Sequence, residues 1–301
     1  METKQFDAII IGGSYAGLSA AMTLGRSKRH VLIIDDNNPC NRQTPHSHNF
    51  ITQDGEKPAI IKAKALEQVL KYDTVRLQEG TALAGAKTDS GFEITTAAGD
   101  IFTADKLVFA TGLTDIMPGI KGLAECWGIS VLHCPYCHGY EVKDSPLGVI
   151  SNGELAFEFC RMIHHWSKDL ILFTNGKADI AEEHLAAIRK HHISIVEEEI
   201  KELVHRNGHL DTVVLQNGKE YKLNALFYRA AARQHCNIPE QLGCELSKMG
   251  LITVDDLQRT SIPGLYAAGD NSAMFRSVAI ATAAGTKAGA MLNKELVEER
   301  F

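Results

Sequence analysis

The sequence predicts an α/β chain of two Rossmann-like lobes, the second inserted into the first. Three observations carry this. Two strand–turn–helix units occur, at residues 6–24 and 147–165. A Gly/Pro/Asp-rich change of composition falls at 113–122, as expected of a domain crossing. After Gly243 the chain changes character again and returns to a strand and a long helix. The expected limits are 1–113 and 245–301 for the first lobe and 114–244 for the second.

Each element follows from its local pattern. Residues 6–11 are a β-rich apolar run punctuated by Gly12, Gly13 and Gly17, and 17–24 is Ala/Leu-rich and helical. Residues 31–34 form a second buried strand ending in Asp35 and Asp36. A helix is expected over 58–72. Short strands are expected over 75–101, with turns at 89–91 and 98–100, and a strand at 107–110 is closed by Thr111 and Gly112. The second lobe reads as strand 147–151, helix 154–165, strand 169–173, helix 180–191 and strand 193–196. Asn207-Gly208 and Asn217-Gly218 then mark a hairpin. Strand 265–268 runs into Gly269-Asp270, and 278–292 is an Ala/Gly-rich helix.

Composition narrows the function. With 301 residues, 45% of them apolar, the chain has enough material for two cores. A net charge of -6 favours neither nucleic acid nor a membrane surface as partner. No apolar run reaches the ~20 residues needed to cross a bilayer. Residues 1–6 show no leader pattern, so a cytoplasmic location is the expectation. Of seven cysteines only Cys134 and Cys137 are spaced CxxC. An odd number in a long chain is not a structural disulfide framework. No second CxxC exists and the histidines lack zinc-finger spacing, so the pair reads as redox-active and no metal site is expected.

Residues 12–17 read GGSYAG, which is GxGxxG with Ser14 in place of the middle glycine. Such a turn presents backbone amides to a pyrophosphate. Gly12 permits the turn, and Gly17 lets helix and strand pack closely. Ser14 fits if its backbone stays at negative φ. Asp35 stands 23 residues past Gly12, where a ribose-binding carboxylate belongs, and Asp36 is the neighbouring alternative. This unit alone does not separate NAD from FAD.

Residues 133–141 read HCPYCHGYE. Two intervening residues let the thiols close a small ring, and a neighbouring proton carrier stabilises a thiolate. His138 titrates near neutrality and is the candidate carrier, with Glu141 as a modulator. The plainer alternative is a reduced buried pair beside a surface histidine. His133 has the weaker claim and is as readily a packing residue.

At these residues the chain resembles the low-molecular-weight thioredoxin reductases. It is similar in particular to the branch of FAD-dependent dithiol oxidases that includes the gliotoxin and holomycin oxidases. CPYCHGYE at 134–141 is the most specific piece. IGGSYAGLSAA at 11–21, Asn41-Arg42, His48-Asn49-Phe50, Asp54-Gly55, AAGD at 267–270 and Arg276-Ser277-Val278 fit too. The resemblance implies FAD and a homodimer whose lobes rotate. Gly12, Ser14 and Gly17 would hold the FAD pyrophosphate, and Asp35 or Asp36 the ribose. Asn41, Arg42, His48 and Asn49 would line the flavin side. Gly269 and Asp270 would face the ribityl and phosphate region, and Arg276, Ser277 and Val278 the pyrimidine end. Gly112 is counted with these cofactor residues. Cys137 would exchange electrons with the flavin and Cys134 would meet the substrate. His138 stands where these reductases carry an aspartate.

The second lobe departs from the pattern. Its turn reads Ser151-Asn152-Gly153-Glu154-Leu155-Ala156 where the family has GxGxxA, and Glu154 repels a pyrophosphate. Lys177 stands alone where NADPH-using reductases carry an arginine cluster. Arg233 is the other candidate for a phosphate. The reaction expected is dithiol–disulfide exchange coupled to flavin, on a thioredoxin-like protein or a small molecule. NADPH, oxygen or a protein is the other redox partner. A flavoprotein using the cysteines only as a switch is the competing class.

Overall fold

The structure is a computed structural model that describes residues 4–301. The expectation drawn from Met1 to Thr3, the start of the leader-free segment, lies outside the described residues. The first apolar run forms the strand Lys4–Ile11, and the second forms Val31–Asp35 parallel to it, with Ile10 opposite Ile33. The helix Tyr15–Arg26 connects them. Both strands are buried on both faces, so they read as continuous Ile/Leu/Val runs rather than alternating ones. They lie in a seven-stranded mixed sheet. Its order is Val75–Glu79, Val31–Asp35, Lys4–Ile11, Ile101–Phe109, Gly91–Thr96, Ala82–Thr88, with Leu265–Ala267 paired in parallel to Ile101–Phe109.

The chain divides into two compact units. One comprises residues up to 42, 58–114 and 232–301; the other comprises 43–57 and 115–231. The sequence reading has the chain return at 245. It returns at 232, because Cys236, Ile238, Leu242 and Cys244 pack into one core with Phe92, Ile94 and Phe109. The short segment 43–57 also joins the second unit, closed on itself by pairing of Ser47 with Glu56. The two passages between units, Leu113–Ile116 and Ala231–Gln234, pair as a two-stranded ribbon.

The second unit has a five-stranded parallel sheet. Its order is Ser194–Val196, Leu170–Phe173, Leu147–Ile150, Ala225–Tyr228, Val131–Leu132. Beside it the antiparallel strands Ile200–Arg206, His209–Leu215 and Glu220–Lys222 form a separate sheet. Asn207 and Gly208 turn the first hairpin with φ of 52° and 80°, the left-handed pair that Asn-Gly favours.

The closing helix Val278–Arg300 runs well past its expected end at 292. Leu296 is fully buried on its inner face. Glu295 and Glu299 both accept from the Lys106 ammonium, at 2.6 and 2.5 Å, and Arg300 pairs with Asp7 and Asp105. These ties hold the last two turns against the sheet. No helix among the described residues is long and apolar enough to cross a membrane.

Candidate active site

The first unit supplies a nucleotide turn. Gly12 ends the first strand with φ of 104°, and a side chain there would run into the carbonyl of Ala110. Gly17 is as constrained, since a Cβ would strike the Gly12 carbonyl. Ser14 caps the helix at φ -100° and ψ -160°, so it keeps the negative φ its place requires. Its side chain makes no cap hydrogen bond, and no acid lies in the first helical turn. The first amides of this helix are therefore left to an anion, which is what a dinucleotide pyrophosphate needs.

Of the two acids considered for the ribose, Asp35 lies at the turn. Its Oδ1 accepts from the Gly13 amide at 2.9 Å. Its Oδ2 accepts from the Lys62 ammonium at 2.7 Å, and Lys62 also donates to Asn37 Oδ1 at 2.8 Å. Asp36 turns elsewhere, accepting from the Asn38 amide at 3.1 Å and lying 3.5 Å from His235 Nε2. Asn41 Nδ2 donates to the Tyr15 hydroxyl at 3.4 Å, and the Arg42 amide donates to the Pro39 carbonyl. Gly112 takes φ of 63° just past the end of the Ile101–Phe109 strand.

The late segment returns to this turn. A Cβ on Gly269 would touch the Ala16 Cβ, so the chain passes directly over the start of the first helix. Asp270 Oδ2 accepts from Arg276 Nε at 3.1 Å. Ser277 caps the closing helix, its hydroxyl accepting from the Ile280 amide, and Val278 opens that helix. Two residues here escaped the sequence reading. Asn271 is fully buried and donates to the Phe109 carbonyl at 2.9 Å, and Lys62 neutralises Asp35. Neither carries a local motif, because each acts across the fold on a distant partner.

The second unit carries the cysteines. Cys134 ends an extended segment and caps the short helix Pro135–His138, on which Cys137 sits. The sulfurs are 2.6 Å apart, with the Cys137 thiol donating to Cys134. That is about half an ångström beyond a bonded pair, so dithiol and disulfide interconvert with little movement. The Cys137 hydrogen bond lowers the Cys134 thiol to about 7 against the opposing effect of burial, helped by the amides of Cys137 and Tyr136 and the charge of Arg229. Buried Cys160, with no such partners, is pushed up to about 12 by burial. Cys134 is therefore the thiolate of the pair. Cys134 is also the less exposed residue of the two, at 8%, while Cys137 is half-buried.

His48, placed on the flavin side by the resemblance, stands in the second unit beside this pair's helix. Its ring meets the His138 ring edge-on at 6.1 Å. Its Nε2 lies 3.6 Å from Glu141 Oε1 and its Nδ1 lies 3.7 Å from Asp54 Oδ1. Asn49 is a turn residue at φ 59° whose amide donates to the same Asp54 oxygen at 2.7 Å. Burial lowers the His138 pKa, the nearby His48 adds to this, and Glu141 opposes it. His133 packs against Trp127, with ring centres 6.1 Å apart.

A histidine held below its ordinary 6.5 is neutral at pH 7 and able to take a proton. As pH falls through that lowered value the base is lost, so exchange slows on the acid side. His138→Ala is expected to remove that limb and to slow dithiol exchange about a hundredfold at pH 7. Stopped-flow exchange rates from pH 5 to 9 check this; an equal loss at every pH would leave His138 no proton-carrying role.

With fold and sites in view, the profile of the pyridine nucleotide-disulphide oxidoreductases matches residues 6–287. The chain belongs to this family. It is 34% identical over 304 residues to the thioredoxin reductase tcpT of Claviceps purpurea, covering 97% of this chain and 95% of that one. It is 30% identical to the thioredoxin reductase aclD of Aspergillus oryzae, with 96% and 95% covered. Among solved structures, an oxidoreductase from Agrobacterium tumefaciens matches with a TM-score of 0.91 at 36% identity, covering 97% of this chain and 99% of that one. HlmI matches with a TM-score of 0.93 at 30% identity, covering 98% and 94%. The chain is thus a flavoenzyme and an oxidoreductase of thioredoxin reductase type. Its family binds FAD and uses NADPH, and the first unit's open glycine turn fits the FAD.

Proposed function

We propose that the protein is an FAD-dependent dithiol–disulfide oxidoreductase that moves an electron pair between substrate sulfurs, the Cys134/Cys137 pair and the flavin. The observation that carries this is the pair itself: two sulfurs 2.6 Å apart, with Cys134 drawn down to about 7. A thiolate at neutral pH is the species that undertakes exchange.

Gly12, Ser14 and Gly17 would hold the FAD pyrophosphate, Asp35 the adenosine ribose, and Gly112, Gly269, Asp270 and Arg276 to Val278 the remainder with Asn41 and Arg42. Lys62 fixes the orientation of Asp35. Bound FAD supplies a two-electron carrier. In the oxidising direction a substrate thiol attacks Cys134 of the internal disulfide and expels the Cys137 thiolate. The second substrate thiol then attacks the mixed disulfide, closing the substrate disulfide and releasing Cys134. Two electrons and two protons pass from substrate to the pair, and His138 takes one of the protons. Cys137 is the thiol that would deliver the electron pair to FAD when it is bound. His48, with Glu141 and Asp54, orients His138, and His48 and Asn49 keep the flavin-side place that the resemblance implies. The homodimer and a thioredoxin-like or small dithiol partner belong to the same proposal.

A second, finer reading is that the substrate is a small dithiol and oxygen takes the electrons. The second unit favours it, because its helix Glu154–Ile163 opens with an acid and its phosphate-facing loop has a single cation, Lys177. Incubation with a small dithiol in air, following oxygen consumption and disulfide product together, tests it. One oxygen consumed per disulfide supports an oxidase. Disulfide reduction driven by NADPH, with no oxygen uptake from dithiol, returns the enzyme to the reductases.

A further inference from the structure

The second unit's turn is built differently from the first. In the first unit Gly12 takes the positive φ, 104°, and Ser14 lies at -100°. In the second, Ser151 stands where Gly12 would, and the positive φ has moved two residues on, to Gly153 at 71°. Asn152 stands at the place of Gly13, where the first unit has no side chain.

That side chain is fully engaged. Asn152 Oδ1 accepts from the Gly153 amide at 2.9 Å and from the Asp179 amide at 2.8 Å. Its Nδ2 donates to the Lys177 carbonyl at 2.9 Å and to the Thr174 carbonyl at 3.3 Å. Two donors and two acceptor sites are the whole capacity of a carboxamide. The bonds tie the turn to the loop 174–179 that follows the strand Leu170–Phe173. In a dinucleotide-binding unit the pyrophosphate lies on this turn and the adenosine ribose on that loop.

The loop is closed further from its other side. Glu197 Oε1 accepts from the Ala178 amide at 2.8 Å, and Asn175 Oδ1 accepts from the Ile200 amide at 2.8 Å. The turn, its partner loop and the segment that closes that loop carry Glu154, Asp179 and Glu197, with Lys177 as the loop's cation. Two donors that face a nucleotide in this arrangement, the Gly153 and Asp179 amides, are satisfied from within, and the acid opening the helix repels a phosphate. The residues do not fit a pyridine nucleotide.

We infer that Asn152 acts as an internal ligand that closes the second unit's nucleotide cleft and excludes NADPH and NADH from it. A nucleotide entering must break the two accepted bonds and leave a carboxamide unpaired, which costs at least about tenfold in affinity. The inference concerns binding and is independent of the roles given to the cysteines, so a wrong reading of Cys134 and Cys137 leaves it standing.

The test uses yellow holoprotein and equilibrium dialysis against NADPH and, separately, NADH. Wild type is expected to bind neither at about 1 mM. Asn152→Gly, which frees both amides, is expected to bind at least about tenfold more tightly. Amide hydrogen exchange on wild type gives a reading that needs no variant: the Gly153 and Asp179 amides are expected to exchange slowly. Wild-type binding of NADPH below about 0.1 mM, fast exchange at both amides, or an Asn152→Gly holoprotein with no gain in affinity would each overturn the inference.

Discussion

Cys134→Ser is expected to lower dithiol turnover by at least about a thousandfold while the protein stays yellow with one FAD per chain. The serine keeps the shape of the site and removes the sulfur drawn down to about 7. The neighbouring bond from Cys137, the amides of Tyr136 and Cys137, and Arg229 all act on Cys134, so no other cysteine takes its place. Cys126, Cys160 and Cys244 are buried and raised by burial, and Cys236 is raised as well. Turnover with a small dithiol and the flavin-to-protein absorbance ratio, taken on the same sample, check both halves. Cys137→Ser is the companion: with no resolving thiol, a mixed disulfide with a substrate disulfide accumulates on Cys134 and is visible by mass spectrometry. Persistent turnover in Cys134→Ser would remove Cys134 from the mechanism.

Gly12→Ala is expected to purify with less than about a tenth of the wild-type FAD content. A non-glycine residue at this φ of 104° carries roughly 1–3 kcal/mol of strain, and its Cβ meets the Ala110 carbonyl, which is backbone and held in the sheet. The strand and helix must part at the point where the pyrophosphate binds. Far-UV circular dichroism separates loss of cofactor from loss of fold. A folded variant with a full complement of FAD would show that this turn does not carry the pyrophosphate.

How far the sequence foretold these sites depends on whether the signal is local. The two-lobe α/β plan was legible because both nucleotide-type units announce themselves as apolar strand, small-residue turn and helix. The Asn207-Gly208 hairpin was legible from two residues whose side chains tolerate positive φ. CxxC was legible because two-residue spacing is itself the geometry of the pair. What was hidden depends on three-dimensional neighbours. The last turns of the closing helix are held by Lys106, nearly 200 residues away in the chain, as the ion pairs to Glu295 and Glu299 show. His48 was placed on the flavin side by the resemblance, but its contacts with His138 and Glu141 come only from folding. The return of the chain at 232 is decided by where Ile238 and Cys244 are buried, and no change of composition marks it. The weakness of the second nucleotide turn was visible as Ser151 and Glu154, but the four bonds of Asn152 were not, since its partners at Thr174, Lys177 and Asp179 lie on another loop.

The central claim is that an electron pair passes between substrate thiols and flavin through Cys134 and Cys137. The most direct measurement is an anaerobic stopped-flow mix of the holoprotein with dithiothreitol, watching flavin absorbance, with Cys134→Ser run beside it. The account predicts rapid bleaching in wild type and none in the variant. A wild-type flavin that stays oxidised under the dithiol, or a variant that bleaches as fast, would contradict it.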